Sequence, residues 1–111
     1  MQVKSFAIWA NPEKKQVPAL VKSAIKWANE NNLDVFLAER LKSIDVQNEN
    51  ISYFSSQNPP EAGFLLCLGG DGTLISGVRI FSNPSIPVLG VHLGGLGFLA
   101  QITPEVLIDK L

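Results

Sequence analysis

The part of the chain best suited to chemistry is LLCLGGDGTLISG, residues 65–77, in which glycines surround a single acid, Asp71. Glycines permit positive φ and leave backbone N–H groups open to a ligand, and the first turn of a following helix attracts phosphate. Two anions repel, so Asp71 suits a general base, a group that orients a hydroxyl, or a partner of a metal ion beside the phosphates. These features together indicate phosphoryl transfer to an alcohol.

The same spacing also fits a purely structural turn. In that interpretation Asp71 caps the helix that follows, and the glycines close a tight turn before it. The spacing alone favours neither interpretation. The sequence has no GxxxxGK[ST] segment, which excludes a P-loop NTPase on motif grounds.

A second glycine cluster, GVHLGGLGFLA, occupies residues 90–100. Gly95, Gly97 and Ala100 match the dinucleotide fingerprint G-x-G-x-x-A, but Pro104 follows within two turns of the helix that the fingerprint requires. The acidic residue due about 20 positions later lies beyond residue 111. We therefore expect a glycine-rich loop that faces the first one across a ligand cleft.

Strands and helices are predicted to alternate along the chain. Apolar residues recur at helical spacing from Val17 to Ala28, Asn-rich residues 29–32 end that helix, and a second helix is predicted over 73–82. Strands are predicted at 3–10, 33–39, 64–68 and 86–93, with a minor one at 51–54. This order predicts an α/β fold with a mostly parallel sheet and helices on both faces, a three-layer arrangement of the Rossmann or flavodoxin type.

The length and composition indicate one globular domain over residues 1–111. Apolar residues make up 46% of the chain and charged residues 17%, as in soluble proteins. The net charge of −1 gives no electrostatic case for nucleic acid or an anionic membrane, and no apolar run approaches the roughly 20 residues of a membrane span. The single cysteine, Cys67, fits a reducing cytoplasm and is predicted to be a small buried hydrophobe.

Two motifs carry a resemblance to a known family. GGDGT at 69–73 resembles the signature shared by NAD kinases, diacylglycerol and sphingoid-base kinases and, loosely, phosphofructokinases. GVHLGGLGFL at 90–99 is similar to the G-[IV]-[NH]-x-G-x-LGFL segment of NAD kinases, whereas lipid kinases are expected to carry a different glycine-threonine motif there. The spacing of the motifs and the Asn-Pro pair at 11–12 also fit. The resemblance covers essentially the whole chain, but only the N-terminal domain of the family.

The resemblance implies phosphorylation of the 2′-hydroxyl on the adenosine ribose of NAD, giving NADP. ATP or polyphosphate would be the phosphate donor, a divalent metal such as Mg²⁺ would be required, and the complete protein would be a cytoplasmic homo-oligomer. Asp71 matches the catalytic aspartate, Asp71 and Gly72 lie at the NAD site, and Phe98 matches the aromatic residue beside the dinucleotide. Three further residues are expected at phosphate: Gly69, Gly70 and Thr73.

The sequence departs from the family pattern at several points. His92 stands where many members carry asparagine, and Ser76 stands five residues after the aspartate, where a basic or histidine side chain is common. A phosphate contact is therefore missing or supplied elsewhere. Thr103 and Pro104 open a last helix that has no stop signal, so the chain is expected to be truncated and to lack the family's second, mainly β domain with its Asn-Glu motif.

Two alternatives remain open at this stage. A lipid or sugar kinase would share the aspartate turn, and a non-catalytic nucleotide-binding module would share the glycine loops. Structural or solvated roles are predicted for the remaining candidates, which are Trp9, Trp27, His92 and the pair Lys14 and Lys15.

Overall fold

The structure is a computed structural model, and it describes residues 4–44, 46, 50–81 and 86–93. These residues form a five-stranded, wholly parallel sheet in the order β3-β2-β1-β4-β5, which confirms the predicted α/β class. The strands are β1 (Ser5–Ala10), β2 (Asp34–Ala38), β3 (Ile51–Phe54), β4 (Leu65–Gly69) and β5 (Val88–His92). The helices are α1 (Val17–Glu30) and α2 (Asp71–Ile80), and a short 3-10 turn covers Glu39–Leu41.

The two helices cover opposite faces of the sheet. Side chains alternate between the faces along a strand, so Phe6 and Trp9 of β1 point to opposite sides. The Phe6 ring lies 6.0 Å from the Trp27 ring of α1, whereas Trp9 hydrogen bonds to Ser76 of α2. This confirms the predicted three layers. It also explains why β1 and β4 are almost wholly apolar, since both of their faces are buried.

Helix α1 follows the predicted pattern closely. Pro18 lies in its first turn, where the missing N–H costs no hydrogen bond. The helix ends at Glu30, and Asn32 then adopts φ 58°, a left-handed conformation that asparagine tolerates better than most residues. All six apolar positions of the predicted face are buried: Val17, Leu20, Val21, Ala24, Ile25 and Ala28.

Helix α2 begins two residues earlier than predicted, at Asp71 instead of Thr73. Gly70 is its N-cap residue, in an extended conformation with φ −100° and ψ −165°. At Gly69 an added Cβ would lie 2.5 Å from Thr73 Oγ1, so a glycine at this position lets the first turn of α2 lie against the end of β4. The glycine-rich turn therefore belongs partly to the helix.

Gly77 allows α2 to lie close to the sheet. An added Cβ at this buried position would lie 2.6 Å from Cys67 Sγ and 3.0 Å from Trp9 Cδ1. Burial raises the pKa of the Cys67 thiol to about 12, so the side chain stays neutral and packs as a small hydrophobe, as predicted. The glycine that weakens the helix by propensity is required here by packing.

We expect Gly77→Ala to lower the free energy of unfolding by about 1–3 kcal/mol, because the new methyl group overpacks the contact between α2 and β4. Urea denaturation of the purified chain measures this effect. Gly72→Ala is the matched control, since an added Cβ there meets no atom within 4 Å. Cys67→Ala removes the sulfur atom, so the cost of Gly77→Ala should shrink in the double variant. Equal costs with and without the sulfur would contradict the proposed clash.

Neither helix in the described part of the chain has the length and apolar character needed to span a bilayer.

Candidate functional site

The candidate site lies where the order of the sheet reverses, at the carboxyl ends of β1 and β4. The chain leaves β1 toward β2 on one side and leaves β4 toward β5 on the other. In open parallel sheets this reversal leaves a crevice, and ligands bind there. A cavity of about 390 Å³ lies at this point, lined by Asn11, Pro12, Glu13, Arg40, Gly72, Thr73 and Ser76.

One wall of the cavity is the loop after β1. The Asn11 backbone N–H donates to the Leu68 carbonyl oxygen at 3.0 Å, which joins the loop to the end of β4. The Asn11 side-chain Oδ1 accepts from the Glu13 N–H at 3.0 Å and turns the chain away from the sheet. The Asn-Pro pair, which fits the family pattern in the sequence, therefore lines the cavity.

The opposite wall is the amino-terminal turn of α2. Gly72 and Thr73 line the cavity, and Asp71 precedes them as the first, exposed residue of the helix without itself lining the cavity. An added Cβ at Gly70 or Gly72 would meet no atom within 4 Å, so packing does not require glycine at either position. The open space fits the predicted approach of a ligand to the backbone.

The capping interpretation of Asp71 does not match the helix, because the N-cap residue is Gly70. Asp71 lies in the first turn, where a carboxylate interacts favourably with the helix dipole. A modest structural contribution from this charge is compatible with a chemical role.

A chain of hydrogen bonds connects β1 to α2 beside the cavity. Trp9 Nε1 donates to Ser76 Oγ at 2.9 Å, and Ser76 Oγ donates to the Thr73 carbonyl oxygen at 3.0 Å. Trp9 is buried, as predicted for a structural residue of the core. Its indole N–H also holds Ser76, a residue that lines the cavity, in place. The Arg40 guanidinium lies over the same indole, 4.6 Å from the ring centroid.

The second glycine motif begins next to the first. Gly69 pairs with His92 in the sheet, and the Leu93 N–H donates to the Gly69 carbonyl oxygen at 2.9 Å. Residues 94–111, which include Phe98 and the predicted last helix, lie outside the described residues, as does the side chain of His92. The predicted role of Phe98 stays a prediction.

The part of the chain that the structure describes contains no group of three or more His, Cys, Asp or Glu side chains that could hold a metal ion. Glu13 is the one carboxylate residue among those that line the cavity. Mg²⁺ is commonly held by one or two carboxylates together with substrate phosphates and water.

Sequence reasoning missed Glu13 and Arg40 as cavity residues, and it gave more attention to Lys14 and Lys15, which do not line the cavity. Arg40 follows β2 by two positions, and β2 is the parallel neighbour of β1. The carboxyl ends of neighbouring parallel strands share an edge, so the strand order is the signal that identifies Arg40.

The strand order and a polar cavity beside a glycine-rich helix start define a doubly wound α/β domain of the class that binds nucleotides at the switch point. Residues 6–111 match the family described as "ATP-NAD kinase N-terminal domain". The chain belongs to this family.

Relatives and a solved structure agree with this assignment. The chain is 35% identical over 101 residues to an NAD kinase of Syntrophotalea carbinolica, covering 91% of this chain and 35% of that protein. It is 38% identical over 92 residues to an NAD kinase of Syntrophobacter fumaroxidans, covering 83% and 30% respectively. The chain thus spans about a third of the length of these relatives. The lipid or sugar kinase alternative is not favoured.

The fold is similar to that in a crystal structure of yeast NADH kinase complexed with NADH, with a TM-score of 0.77 at 22% identity. The match covers 97% of this chain and 34% of the yeast chain. At this level of identity the likeness concerns the fold.

Proposed function

We propose that this chain is the aspartate-bearing N-terminal domain of an NAD kinase, which transfers a phosphoryl group from ATP or polyphosphate to the 2′-hydroxyl of the adenosine ribose of NAD. The observation that carries the proposal is the position of Asp71, in the first turn of α2 beside the switch-point cavity. The family match over residues 6–111 supports it.

In this mechanism the Asp71 carboxylate accepts the proton of the ribose 2′-hydroxyl. The 2′-oxygen forms a bond to the terminal phosphorus of the donor, and the bond from that phosphorus to its bridging oxygen breaks. The products are NADP and a donor that is shorter by one phosphate. Asp71 and Gly72 are proposed to contact NAD, and Phe98 is proposed as the aromatic residue beside the dinucleotide.

Backbone N–H groups at the start of α2 are proposed to hold phosphate. The Leu74 N–H donates to the Gly70 carbonyl oxygen at 3.1 Å, and the Gly72 and Thr73 N–H groups precede this bond at the amino-terminal end of α2. These groups and the helix dipole suit an anion. Gly69, Gly70 and Thr73 are the residues proposed for this contact.

A divalent cation, Mg²⁺ in the first instance, would accompany the donor and would neutralise charge on its phosphates. The complete enzyme is proposed to be a cytoplasmic homo-oligomer whose second, mainly β domain follows residue 111 and completes the NAD site. Its partners are NAD and ATP, without nucleic acid or membrane. The near-neutral net charge of −1 supports the last point.

The test is an assay of the complete enzyme with NAD, Mg²⁺ and either ATP or polyphosphate, with NADP as the measured product. Diacylglycerol and a sphingoid base are offered in parallel with labelled ATP. Formation of NADP supports the proposal, and transfer of label to a lipid would identify the alternative kinase. Binding of nucleotide without transfer to any acceptor would indicate a non-catalytic module.

A further inference from the structure

The lining of the cavity includes one positively charged side chain, that of Arg40, for which the proposed mechanism gives no role. Arg40 is the one lysine or arginine among the described residues that line it. The side chain comes from the 3-10 turn after β2, so it reaches the cavity from a different element than Asp71 and Thr73 do. The parallel pairing of β1 with β2 brings this turn to the same edge of the sheet.

Arg40 lies on a rigid support although it is exposed. Its guanidinium carbon is 4.6 Å from the centroid of the Trp9 ring, a distance typical of a cation–π contact. Trp9 is only 8% exposed, and its Nε1–H bond to Ser76 fixes the plane of the indole. The guanidinium carries five N–H donors, and those not facing the ring remain available for an anion.

The charge faces a surface that is itself suited to phosphate. Gly72 and Thr73 line the same cavity at the amino-terminal end of α2, where the helix dipole is positive. Glu13, exposed in the loop after β1, is the one acidic residue in the lining, and Arg40 offsets its charge. Arg40 and the first turn of α2, with Gly72 and Thr73, thus surround one space.

Ser76 does not supply a charge to this space. Its hydroxyl accepts from Trp9 and donates to the Thr73 carbonyl oxygen, so both of its main hydrogen-bonding functions are used within the protein. Ser76 instead helps to fix the indole on which Arg40 lies.

We propose that Arg40 binds a phosphate group of the nucleotide held at the aspartate turn, and that Trp9 and Ser76 hold it in position. The inference rests on the proposed NAD kinase function and adds a specific residue to it. The phosphate belongs either to the pyrophosphate of NAD or to the phosphate donor, since both present anionic phosphate oxygens to an arginine.

Arg40→Gln in the complete enzyme tests the proposal. Loss of a charge-assisted hydrogen bond at an exposed site should raise a KM by about tenfold, with kcat changed by less than about threefold. A rise in the KM for NAD alone identifies its pyrophosphate, and a rise in the KM for ATP alone identifies the donor. Inorganic tripolyphosphate, titrated calorimetrically into the wild type and the variant, should bind more weakly to the variant if the donor is the source.

Lys42→Gln is the matched control, because it removes the same charge two residues away. Lys42 lies 3.5 Å from Glu39 and over the Tyr53 ring, and it does not line the cavity. Its KM values should equal those of the wild type. Arg40→Lys keeps the charge but loses the planar guanidinium and its fork of N–H donors, so we expect its KM to fall between those of Arg40→Gln and the wild type.

Two results would overturn the inference. In an active enzyme, Arg40→Gln and Lys42→Gln with indistinguishable KM values would exclude a phosphate contact. A lowered melting temperature with unchanged KM values would make Arg40 a structural residue only. If the wild type forms no NADP, the proposed function fails instead, and the binding of ATP, NAD and tripolyphosphate to the wild type and Arg40→Gln decides the role of Arg40 separately.

Discussion

Asp71→Asn is expected to lower kcat of the complete enzyme by about 10²- to 10⁴-fold, the usual loss when a general base is removed. The asparagine keeps the size and the hydrogen-bonding carbonyl of the side chain but cannot take the ribose proton. Binding of NAD should be largely retained, because Asp71 is exposed and its neighbours at the helix start are glycines that are unaffected by the change. Steady-state kinetics and a binding titration with NAD measure the two quantities.

The control for Asp71→Asn is Asp34→Asn, which makes the same chemical change at the opposite ends of the strands. Asp34 is the exposed first residue of β2, so it lies at the amino ends of the strands, away from the cavity. Its kcat should equal that of the wild type. If Asp71→Asn keeps kcat within about threefold of the wild type at neutral pH, the aspartate only stabilises the start of α2.

The 111 residues alone are expected to form no NADP from NAD, ATP and Mg²⁺. The described cavity of about 390 Å³ lies between the loop after β1 and the start of α2, and all of its lining belongs to this one domain. A well-held ligand of small-molecule size has about 70–90% of its surface buried, and a dinucleotide lying along this sheet edge would remain largely in water. Water around the reacting phosphate weakens the electrostatic stabilisation on which the transfer depends.

The assay of the isolated chain needs evidence that it is folded and that the conditions permit turnover. Circular dichroism and a cooperative unfolding transition establish the fold, and the NAD kinase of Syntrophotalea carbinolica in a parallel reaction establishes the conditions. Turnover within about tenfold of that enzyme would mean that this domain carries a complete site. The proposed need for a second domain would then be wrong.

The fold was predictable where the signal is local. The six buried positions of α1 follow from one periodic pattern, and β4 follows from one apolar run, LLCL, that ends at glycines. The start of α2 was predicted two residues late, because Asp71 and Gly72 show no helical periodicity. Their helical conformation depends on Gly70, which takes the N-cap position with an extended backbone.

The candidate site was predictable only in part, because its members come from three separate strand ends. The aspartate turn follows directly from the sequence, since it is contiguous. Arg40 is brought to the cavity by the pairing of β2 with β1, and Ser76 is fixed by Trp9, a residue 67 positions earlier in the chain. Contacts of this kind depend on strand order, which a single local pattern does not specify.

The central place of β1 in the sheet has a consequence for biosynthesis. The first 54 residues contain β1, α1, β2 and β3, whereas the other edge of β1 pairs with Leu65–Leu68 of β4. Until β4 has left the ribosome, an almost wholly apolar strand presents an unpaired row of N–H and C=O groups to other chains. The strand at the centre of the described sheet is therefore exposed to aggregation while the protein is being made.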